Sequence, residues 1–177
     1  MNFEILKQKL ENATKKAFIE MYEKYGTDNI YAFALYSDED AMTICPSTNT
    51  LKYLENADPN DLYFKFAPAE WKYEMQGASS EFNEICRDLR DELDKINDDE
   101  EWFYRNQKQV FNTCIDVLEK LKNENFFRDI IGKEIFLTFT VSDYDFETKG
   151  DFKEIITKLN ENEYKTEYLN WMKTWEQ

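Results

Sequence analysis

The sequence contains no histidine, and this absence excludes more chemistry than any other feature of its composition. It excludes Ser-His-Asp and Cys-His nucleophilic sites, histidine-ligated zinc or iron, and the usual general base near neutral pH. The phosphate-binding motifs G-x-x-x-x-G-K-[ST] and G-x-G-x-x-G are absent too. Carboxylate chemistry remains, in a paired acid and base or at a Mg²⁺-type site. We predict no catalytic residue, no bound metal and no cofactor.

Glycine, proline and cysteine are scarce, with 4, 3 and 3 copies in 177 residues. The low glycine and proline content favours long regular elements over loops. The cysteines, Cys45, Cys86 and Cys114, lack C-x-x-C spacing, which argues against a disulfide framework and a zinc site. Cys86 and Cys114 fall on apolar helix faces, so we expect buried, reduced thiols and a cytoplasmic protein.

Long apolar runs and a positive charge surplus are also missing. The longest apolar run, "IYAFALY", is far shorter than the roughly 20 residues that span a bilayer, and the opening residues show no secretory signal. The net charge is −15, which repels nucleic acid and anionic lipid and attracts basic proteins. The same charge also serves solubility alone, so both interpretations stay open.

The length of 177 residues predicts one domain, residues 1–177, and the order of the predicted elements places it in the α+β class. Stripes at steps of three and four predict helices over residues 2–25, 79–96 and 98–123, a short helix from 48 or 49 to 56, and two closing helices after 150. Strand-like runs cover 30–36, 41–45, 62–66 and 134–143. We expect a mostly antiparallel sheet of about four or more strands flanked by helices, with 79–96 and 98–123 forming a central helical hairpin.

The run over residues 30–36 is apolar on both faces, which predicts a central strand covered on each side. Strict alternation places Tyr31, Phe33 and Leu35 on one face, and Ile30, Ala32, Ala34 and Tyr36 on the other. The two alanines leave room for a helix, and the helix over 2–25 is the expected neighbour.

Three consecutive acids, Asp38 to Asp40, separate the first two predicted strands. They form either the exposed tip of a β-hairpin or, together with Asp143 and Asp145 after the last strand, a cation site. The second interpretation requires the strands over 30–36 and 135–142 to be neighbours. With 37 acids in the chain, such clusters are expected by chance, so we favour the hairpin tip without a metal.

Two further segments, "CPSTNT" and "PAEWKYE", contain candidate binding residues, and each also has a structural interpretation. In the first, Pro46 ends a strand, and Ser47, Thr48 or Asn49 caps the next helix. In the second, Glu70 and Glu74 beside Trp71 and Tyr73 line a pocket or an interface, or else the tryptophan fills the core while its acids face solvent.

The stretches "YAFALYSDEDAMTICPSTNT" and "FAPAEWKYE" together resemble a bacterial family known as domain of unknown function 4303. In that family an N-terminal helix leads to a "YALALY-D-D" strand and turn, a "CP-NT" step, an "SPAEW-YE" segment and a late strand ending in Asp. The matching positions here are Tyr31, Ala34, Leu35, Tyr36, Asp38, Asp40, Cys45, Pro46, Asn49, Thr50, Pro68, Ala69, Glu70, Trp71, Tyr73, Glu74 and Asp143. Ala67 stands where the family has Ser or Thr.

The resemblance implies no assigned activity, but its members look like small acidic immunity proteins of bacterial toxin loci, including the SMI1/KNR4-like group. Many such toxins are basic nucleases, to which an acidic inhibitor is steered electrostatically. We therefore expect a non-enzymatic binding protein that neutralises a basic toxin. The alternatives are a carboxylate-based enzyme or small-ligand-binding domain, and a plain housekeeping domain. The predicted binding residues are Asp38, Asp40, Asn49, Glu70, Trp71, Tyr73 and Glu74, with Trp71 and Tyr73 as exposed anchors.

Overall fold

A computed structural model describes residues 1–55, 62–95, 99–142 and 149–176 of the chain. The helices are α1 (Phe3–Tyr25), α2 (Leu51–Leu54), α3 (Leu62–Phe66), α4 (Ser79–Leu93), α5 (Glu100–Asn123), α6 (Phe126–Ile131), α7 (Lys149–Leu159) and α8 (Glu163–Met172). The strands are β1 (Ile30–Ser37), β2 (Ile44–Thr50), β3 (Tyr73–Glu74) and β4 (Phe136–Val141). Short 3-10 turns occur at Gly26–Asp28, Pro68–Glu70 and Lys173–Glu176.

The strands form one sheet in the order β3-β2-β1-β4. The pairs β1–β2 and β2–β3 are antiparallel, and β1–β4 is parallel. All eight residues of β1 are buried, because the strand lies between two others and is covered on both faces. The predictions of an α+β fold, a mostly antiparallel sheet and a central first strand are therefore confirmed.

The predicted facing of side chains on β1 is wrong at the start of the strand. The register shifts between Ile30 and Ala32, and such a β-bulge breaks the strict alternation of sides. Ile30 consequently packs in the same hydrophobic cluster as Phe33, whereas Tyr31 packs with Ala32 and Ala34.

The predicted helix over residues 2–25 is confirmed as α1, with Asn2 as its N-cap. It covers the face of the sheet opposite to the predicted one. The Phe18 ring of α1 meets the Phe33 ring edge to face, with centroids 5.5 Å apart. The space beside Ala34 is instead filled by aromatic side chains that include Phe66 and Trp71, because large rings fit against a strand surface of small residues.

Helices α4 and α5 confirm the predicted helices, although residues 96–98 at their junction lie outside the described ranges. Both take α1 as their main helical neighbour, so the predicted α4–α5 hairpin is not the packing unit. Ion pairs follow the same arrangement. Lys9 of α1 binds Glu84 and Asp88 of α4 at 2.7 and 2.6 Å, and Lys120 of α5 binds Glu11 of α1 at 2.8 Å.

Three predictions for the middle of the chain are wrong: the bounds of the second strand, the capping residue of the short helix, and the strand over residues 62–66. The second strand begins at Ile44 rather than residue 41, and it continues through Pro46 to Thr50. Thr50, not Asn49, caps α2 through its side chain. The run over 62–66, predicted as a strand, is helix α3, because weak alternation over five residues does not distinguish the two states.

Among the described residues, strand β4 pairs with a strand, β1, on one side only, and Asn160 occupies part of its other side. The Asn160 Oδ1 accepts from the Leu137 N–H at 2.8 Å, and its Nδ2 donates to the Leu137 carbonyl at 2.7 Å. Asn162 donates in the same way to the Ile135 carbonyl at 2.9 Å. Side chains after α7 thus supply the bonds that a further strand would otherwise make.

The three cysteines are free and buried, which confirms the prediction for Cys86 and Cys114. Among the helices of the described residues, none is long and apolar enough to cross a membrane.

Candidate functional site

A cleft of about 710 Å³ opens where β1 and β4 end. We call it the aromatic cleft, because seven of its lining side chains are aromatic. The lining residues are Tyr36, Tyr63, Phe66, Ala67, Pro68, Ala69, Glu70, Thr138, Thr140, Val141, Ser142, Phe152, Tyr168, Trp171 and Trp175.

The sheet topology explains why the cleft lies at this end. Strands β1 and β4 run parallel, with Ser37 paired to Val141, and the Ser142 N–H donates to the Ser37 carbonyl at 2.8 Å. Ligands of open sheets with parallel strands bind beyond the carboxyl ends of those strands. The two strands are neighbours, as the cation-site interpretation requires, but Asp143 and Asp145 lie outside the described residues.

One wall of the cleft is the segment 63–70, and buried polar side chains of the sheet hold it in place. The Tyr31 hydroxyl donates to the Lys65 carbonyl at 2.7 Å, and the Trp71 indole donates to the same carbonyl at 3.2 Å. Asn49 Nδ2 donates to the Tyr31 oxygen at 3.1 Å, and the Ser47 hydroxyl donates to the Pro68 carbonyl at 2.8 Å. The residues of "CPSTNT" and Trp71 therefore position the wall.

Trp71 and Tyr73 are not exposed, so their prediction as exposed anchors is wrong. Trp71 is 3% exposed and belongs to the same buried cluster as Phe66. This agrees with the alternative interpretation, in which the tryptophan fills the core. Tyr73 is 8% exposed and stacks on Tyr25, with ring centroids 4.0 Å apart and planes 17° apart.

Glu74 and Tyr36 form a polar pair beside the cleft. The Tyr36 hydroxyl donates to Glu74 Oε1 at 2.6 Å. Burial, with this hydrogen bond as the next cause, raises the pKa of Tyr36, and burial raises the pKa of the neighbouring Cys45 thiol to about 11. Both groups are therefore neutral at pH 7, and Cys45 is not a thiolate nucleophile.

Glu70 is the predicted site residue that lines the aromatic cleft directly. It is exposed at the cleft wall, and it is the sole charged side chain among the described lining residues. Within the described ranges Glu70 forms no ion pair with a lysine or arginine, and its side chain is accessible to solvent and to a ligand in the cleft.

Asp38 and Asp40 lie at the hairpin tip, away from the cleft lining. Asp38 is half-buried and closes the turn: its Oδ1 accepts from the Met42 N–H at 2.8 Å and its Oδ2 accepts from the Thr43 hydroxyl. Asp40 is exposed beside a second depression of about 400 Å³, which we call the tip pocket. Its lining residues are Asp40, Met42, Leu93, Asp99, Glu100, Phe103 and Tyr104. The described residues contain no group of three or more cysteine or carboxylate side chains that could hold a metal.

Most of the cleft lining lies outside the set of predicted binding residues. The lining comes from five separate parts of the chain, and Glu70 is the one predicted binding residue among its described members. One signal was present in the closing helix, where Tyr164, Tyr168, Trp171 and Trp175 recur at steps of three and four. An aromatic stripe of that kind is also typical of a core, so spacing alone did not identify a cleft.

One family model, Domain of unknown function (DUF4303), matches residues 10–161 of the chain. The match includes all four strands and the wall segment 63–70, whereas α8 lies beyond it. No curated protein and no solved structure matches the chain. Because the match covers well over half of the sequence, the chain belongs to the family Domain of unknown function (DUF4303).

Proposed function

We propose that this protein is a non-enzymatic binding protein whose partner is a basic protein, and that it neutralises this partner as an immunity protein neutralises a toxin. The observation that carries the proposal is the chemistry shared by two concave surfaces of the molecule. The aromatic cleft combines the Glu70 carboxylate with aromatic rings, the tip pocket combines three carboxylates with aromatic rings, and neither has a lysine or arginine among its described lining residues.

The tip pocket has the composition of a protein-binding surface. Asp40, Asp99 and Glu100 surround it, and the Tyr104 side chain is 62% exposed at its rim. Exposed tyrosines contribute large contact area to interfaces, and complementary charge accelerates association. With a net charge of −15, the whole molecule adds a long-range attraction for a basic partner.

The groups beside the cleft favour binding over catalysis. Tyr36 and Cys45 have raised pKa values because they are buried, which keeps both protonated under neutral conditions. A general base or nucleophile operating near pH 7 requires a pKa close to or below that pH. This leaves Glu70 and Glu74 as the groups that the alternative, a carboxylate-based enzyme or ligand-binding domain, would use.

The test is capture of a partner by the purified protein, followed by binding kinetics on the captured protein. The association rate should fall markedly between low and physiological salt, because the Debye length shrinks to about 8 Å at 0.15 M. The dissociation rate should change less, since contacts formed in the complex control it. Addition of this protein should also abolish the toxic activity of the partner.

The double variant Asp99→Asn/Glu100→Gln neutralises two acids of the tip pocket and should slow association. The matched control is Glu23→Gln/Asp129→Asn, which neutralises two exposed acids that line neither the tip pocket nor the aromatic cleft. The proposal fails if the sole specific ligand is a small metabolite that the protein turns over and Glu70→Gln abolishes that turnover. The enzyme alternative then replaces it.

A further inference from the structure

We propose that the aromatic cleft is a receptor for a guanidinium group, an arginine side chain that the basic partner inserts between the rings and Glu70. This inference names the recognition element of the partner and rests on the proposed function for the source of that arginine. The cleft itself, with its ring surfaces, hydroxyls and single carboxylate, supplies the chemistry.

The cleft offers hydrogen-bond acceptors to a ligand. The hydroxyls of Thr138, Thr140 and Ser142 each have a backbone carbonyl as acceptor, on Phe139, Val141 and Ser37 respectively, at 3.4 Å. A hydroxyl whose proton is directed to a carbonyl retains oxygen lone pairs for another donor. Glu70 adds a carboxylate, which only accepts. An anionic ligand would meet the Glu70 carboxylate without a lysine or arginine among the described lining residues, whereas a guanidinium brings five N–H donors and a positive charge.

The rings of the cleft are arranged at steep angles to one another. Trp171 and Trp175 have centroids 4.8 Å apart and planes at 89°, and Trp175 and Phe152 are 5.7 Å apart at 88°. Part of this surface remains open, since Trp175 is 38% exposed and Tyr63 is 50% exposed. Rings that face a cavity from several directions are the recognised means of holding an organic cation.

The same aromatic cluster already holds a cation of the chain itself. Lys65 Nζ lies 5.5 Å from the centroid of Phe66 and 5.4 Å from that of Tyr164, and Glu167 binds it at 2.7 Å. Phe66 also lines the aromatic cleft, and Glu70 is the carboxylate among the described lining residues there. The cleft therefore contains the same two kinds of group, aromatic rings and a carboxylate, that bind Lys65 within the protein.

Arginine suits the cleft better than lysine for two reasons. Its planar guanidinium stacks on ring faces and is more weakly hydrated than an ammonium, so entry into an aromatic cleft costs less desolvation. Its N–H groups also reach a carboxylate and hydroxyl oxygens at the same time, which a compact ammonium does less well. A surplus of 15 negative charges makes an arginine-rich protein the expected source.

The experiment is nuclear magnetic resonance titration of the ¹⁵N-labelled protein with three capped tripeptides, Ac-Gly-X-Gly-NH₂, in which X is arginine, lysine or citrulline. Citrulline is the uncharged isostere of arginine. The chain has four indole N–H signals, of which Trp171 and Trp175 report on the cleft and Trp71 and Trp102 do not line it. Tryptophan-to-phenylalanine variants assign the signals.

We expect the arginine peptide to shift the Trp171 and Trp175 signals, the lysine peptide to bind several-fold more weakly, and the citrulline peptide to cause no shift. Trp175→Ala and Glu70→Gln should each weaken arginine binding by roughly three- to tenfold. Tyr22→Ala removes an exposed ring outside both the cleft and the tip pocket, and Glu39→Gln removes an exposed acid outside both; each should leave the titration unchanged.

The inference is overturned if citrulline binds as well as arginine, if the shifts are confined to Trp102, or if Glu70→Gln leaves binding unchanged. Tetramethylammonium binding as tightly as the arginine peptide would also overturn it in favour of free organic cations. Different results would refute the proposed function and the arginine site in the cleft. A basic partner captured with full affinity by the Trp175→Ala variant refutes the cleft and leaves the function standing, whereas arginine binding without any basic protein partner refutes the function and leaves the cleft.

Discussion

On one face of the sheet, Phe33 lies between Phe18 of α1 and Phe127 of α6, with centroid distances of 5.5 and 5.7 Å, and helices α1, α4, α5 and α6 close over it. On the other face, Ala34 lies under aromatic rings from the segment 63–71 and α8, and the cleft remains between these parts. We call the first the helical face and the second the aromatic face. The same strand thus supports one surface that is filled and one that is left open.

The two faces also differ in how they are held together. The helical face relies on side chains of α1 and its neighbours that exclude water, and hydrophobic burial is strong but has no direction. The aromatic face adds hydrogen bonds from buried polar groups of the sheet, such as Tyr31 and Ser47, to backbone carbonyls of the segment 63–70. Directional bonds fix a backbone segment without filling the space beside it. This difference explains how a stable domain keeps a cleft of about 710 Å³ against its own sheet.

The largest expected effect is a truncation on the helical face. Phe33→Ala should lower the free energy of unfolding by about 3–5 kcal/mol, because it removes a fully buried ring and leaves a cavity between two others. Trp175→Ala on the aromatic face should cost only about 1–2 kcal/mol, since that ring is partly exposed at the cleft. Urea unfolding followed by circular dichroism measures both. Equal losses would contradict the distinction between a filled and an open face.

The next-largest loss of stability is expected at Gly77, whose backbone lies in close contact with Ala17 of α1. Gly77 has φ +96°, and an added Cβ would stand 2.9 Å from both Cα and the carbonyl oxygen of Ala17. Gly77→Ala should therefore destabilise the protein by about 3 kcal/mol or more, from backbone strain together with overpacking.

Gly132→Ala is the matched control for this effect. Gly132 also has a positive φ, +82°, but an added Cβ there would meet nothing within 4 Å. The variant should lose only the backbone contribution, about 1–2 kcal/mol. Similar midpoints for the two variants in thermal unfolding would show that the contact with α1 is not as close as described.

A third test uses alkaline pH and concerns the buried phenols and thiols, among which Tyr31 and Tyr168 belong to the aromatic face. Burial raises the pKa values of Tyr31 and Tyr168 above the usual 10.0, and it raises that of Cys45 to about 11. The unfolded chain loses these protons at lower pH than the folded protein, so the free energy of unfolding should be steady up to about pH 9 and fall above it. Each group contributes up to about 1.4 kcal/mol per pH unit once its unfolded form is ionised.

Tyr31→Phe separates this effect from general alkaline damage. The variant should be slightly less stable at pH 7, because the hydroxyl bond to the Lys65 carbonyl is lost, but its stability should fall less steeply between pH 9 and pH 11. Urea titrations at several pH values measure both quantities. An identical slope in variant and wild type would mean that Tyr31 is not buried as a neutral phenol.

The smallest expected effect lies at the hairpin tip, outside both faces. Asp38→Asn should cost about 1 kcal/mol, because one of its two oxygens that accept hydrogen bonds becomes an NH₂ group. Asp40→Asn should change stability by less than about 0.5 kcal/mol, as expected for an exposed residue. Calorimetry should detect no Mg²⁺, Ca²⁺ or Mn²⁺ binding at the tip; micromolar binding lost in either variant would contradict this.

The helical face was largely predictable from the sequence, and the aromatic face was not. Helices α1, α4 and α5 bury regular stripes of apolar residues, and periodicity identifies such stripes directly. Strand β2 buries Ser47, Thr48 and Asn49, which a pattern of apolar residues does not mark as interior. Ser47 and Asn49 are tolerated there because acceptors come from residues 15 or more positions away in the sequence.

The bulge in β1 shows a second limit of sequence reasoning. One shifted residue places Tyr31 on the aromatic face, where its hydroxyl reaches the cleft wall. Alternation assumes an unbroken strand, so it assigns Tyr31 to the opposite side. The cleft depends on that residue, on α3 and on the sequence-distant α8, and none of these three placements follows from local spacing.

The bonds of Asn160 to Leu137 have a consequence for how copies of this protein behave when crowded together. An outer strand whose N–H and carbonyl groups are free is a template on which another chain can add a strand, the event that begins domain swapping and fibril growth. At Leu137 both groups are occupied by one amide side chain of the same molecule. A fifth strand would have to break these two hydrogen bonds before it gained any. Asn160 therefore acts as a built-in stop to sheet extension, and it protects the longer outer strand of the sheet from becoming a seed for aggregates.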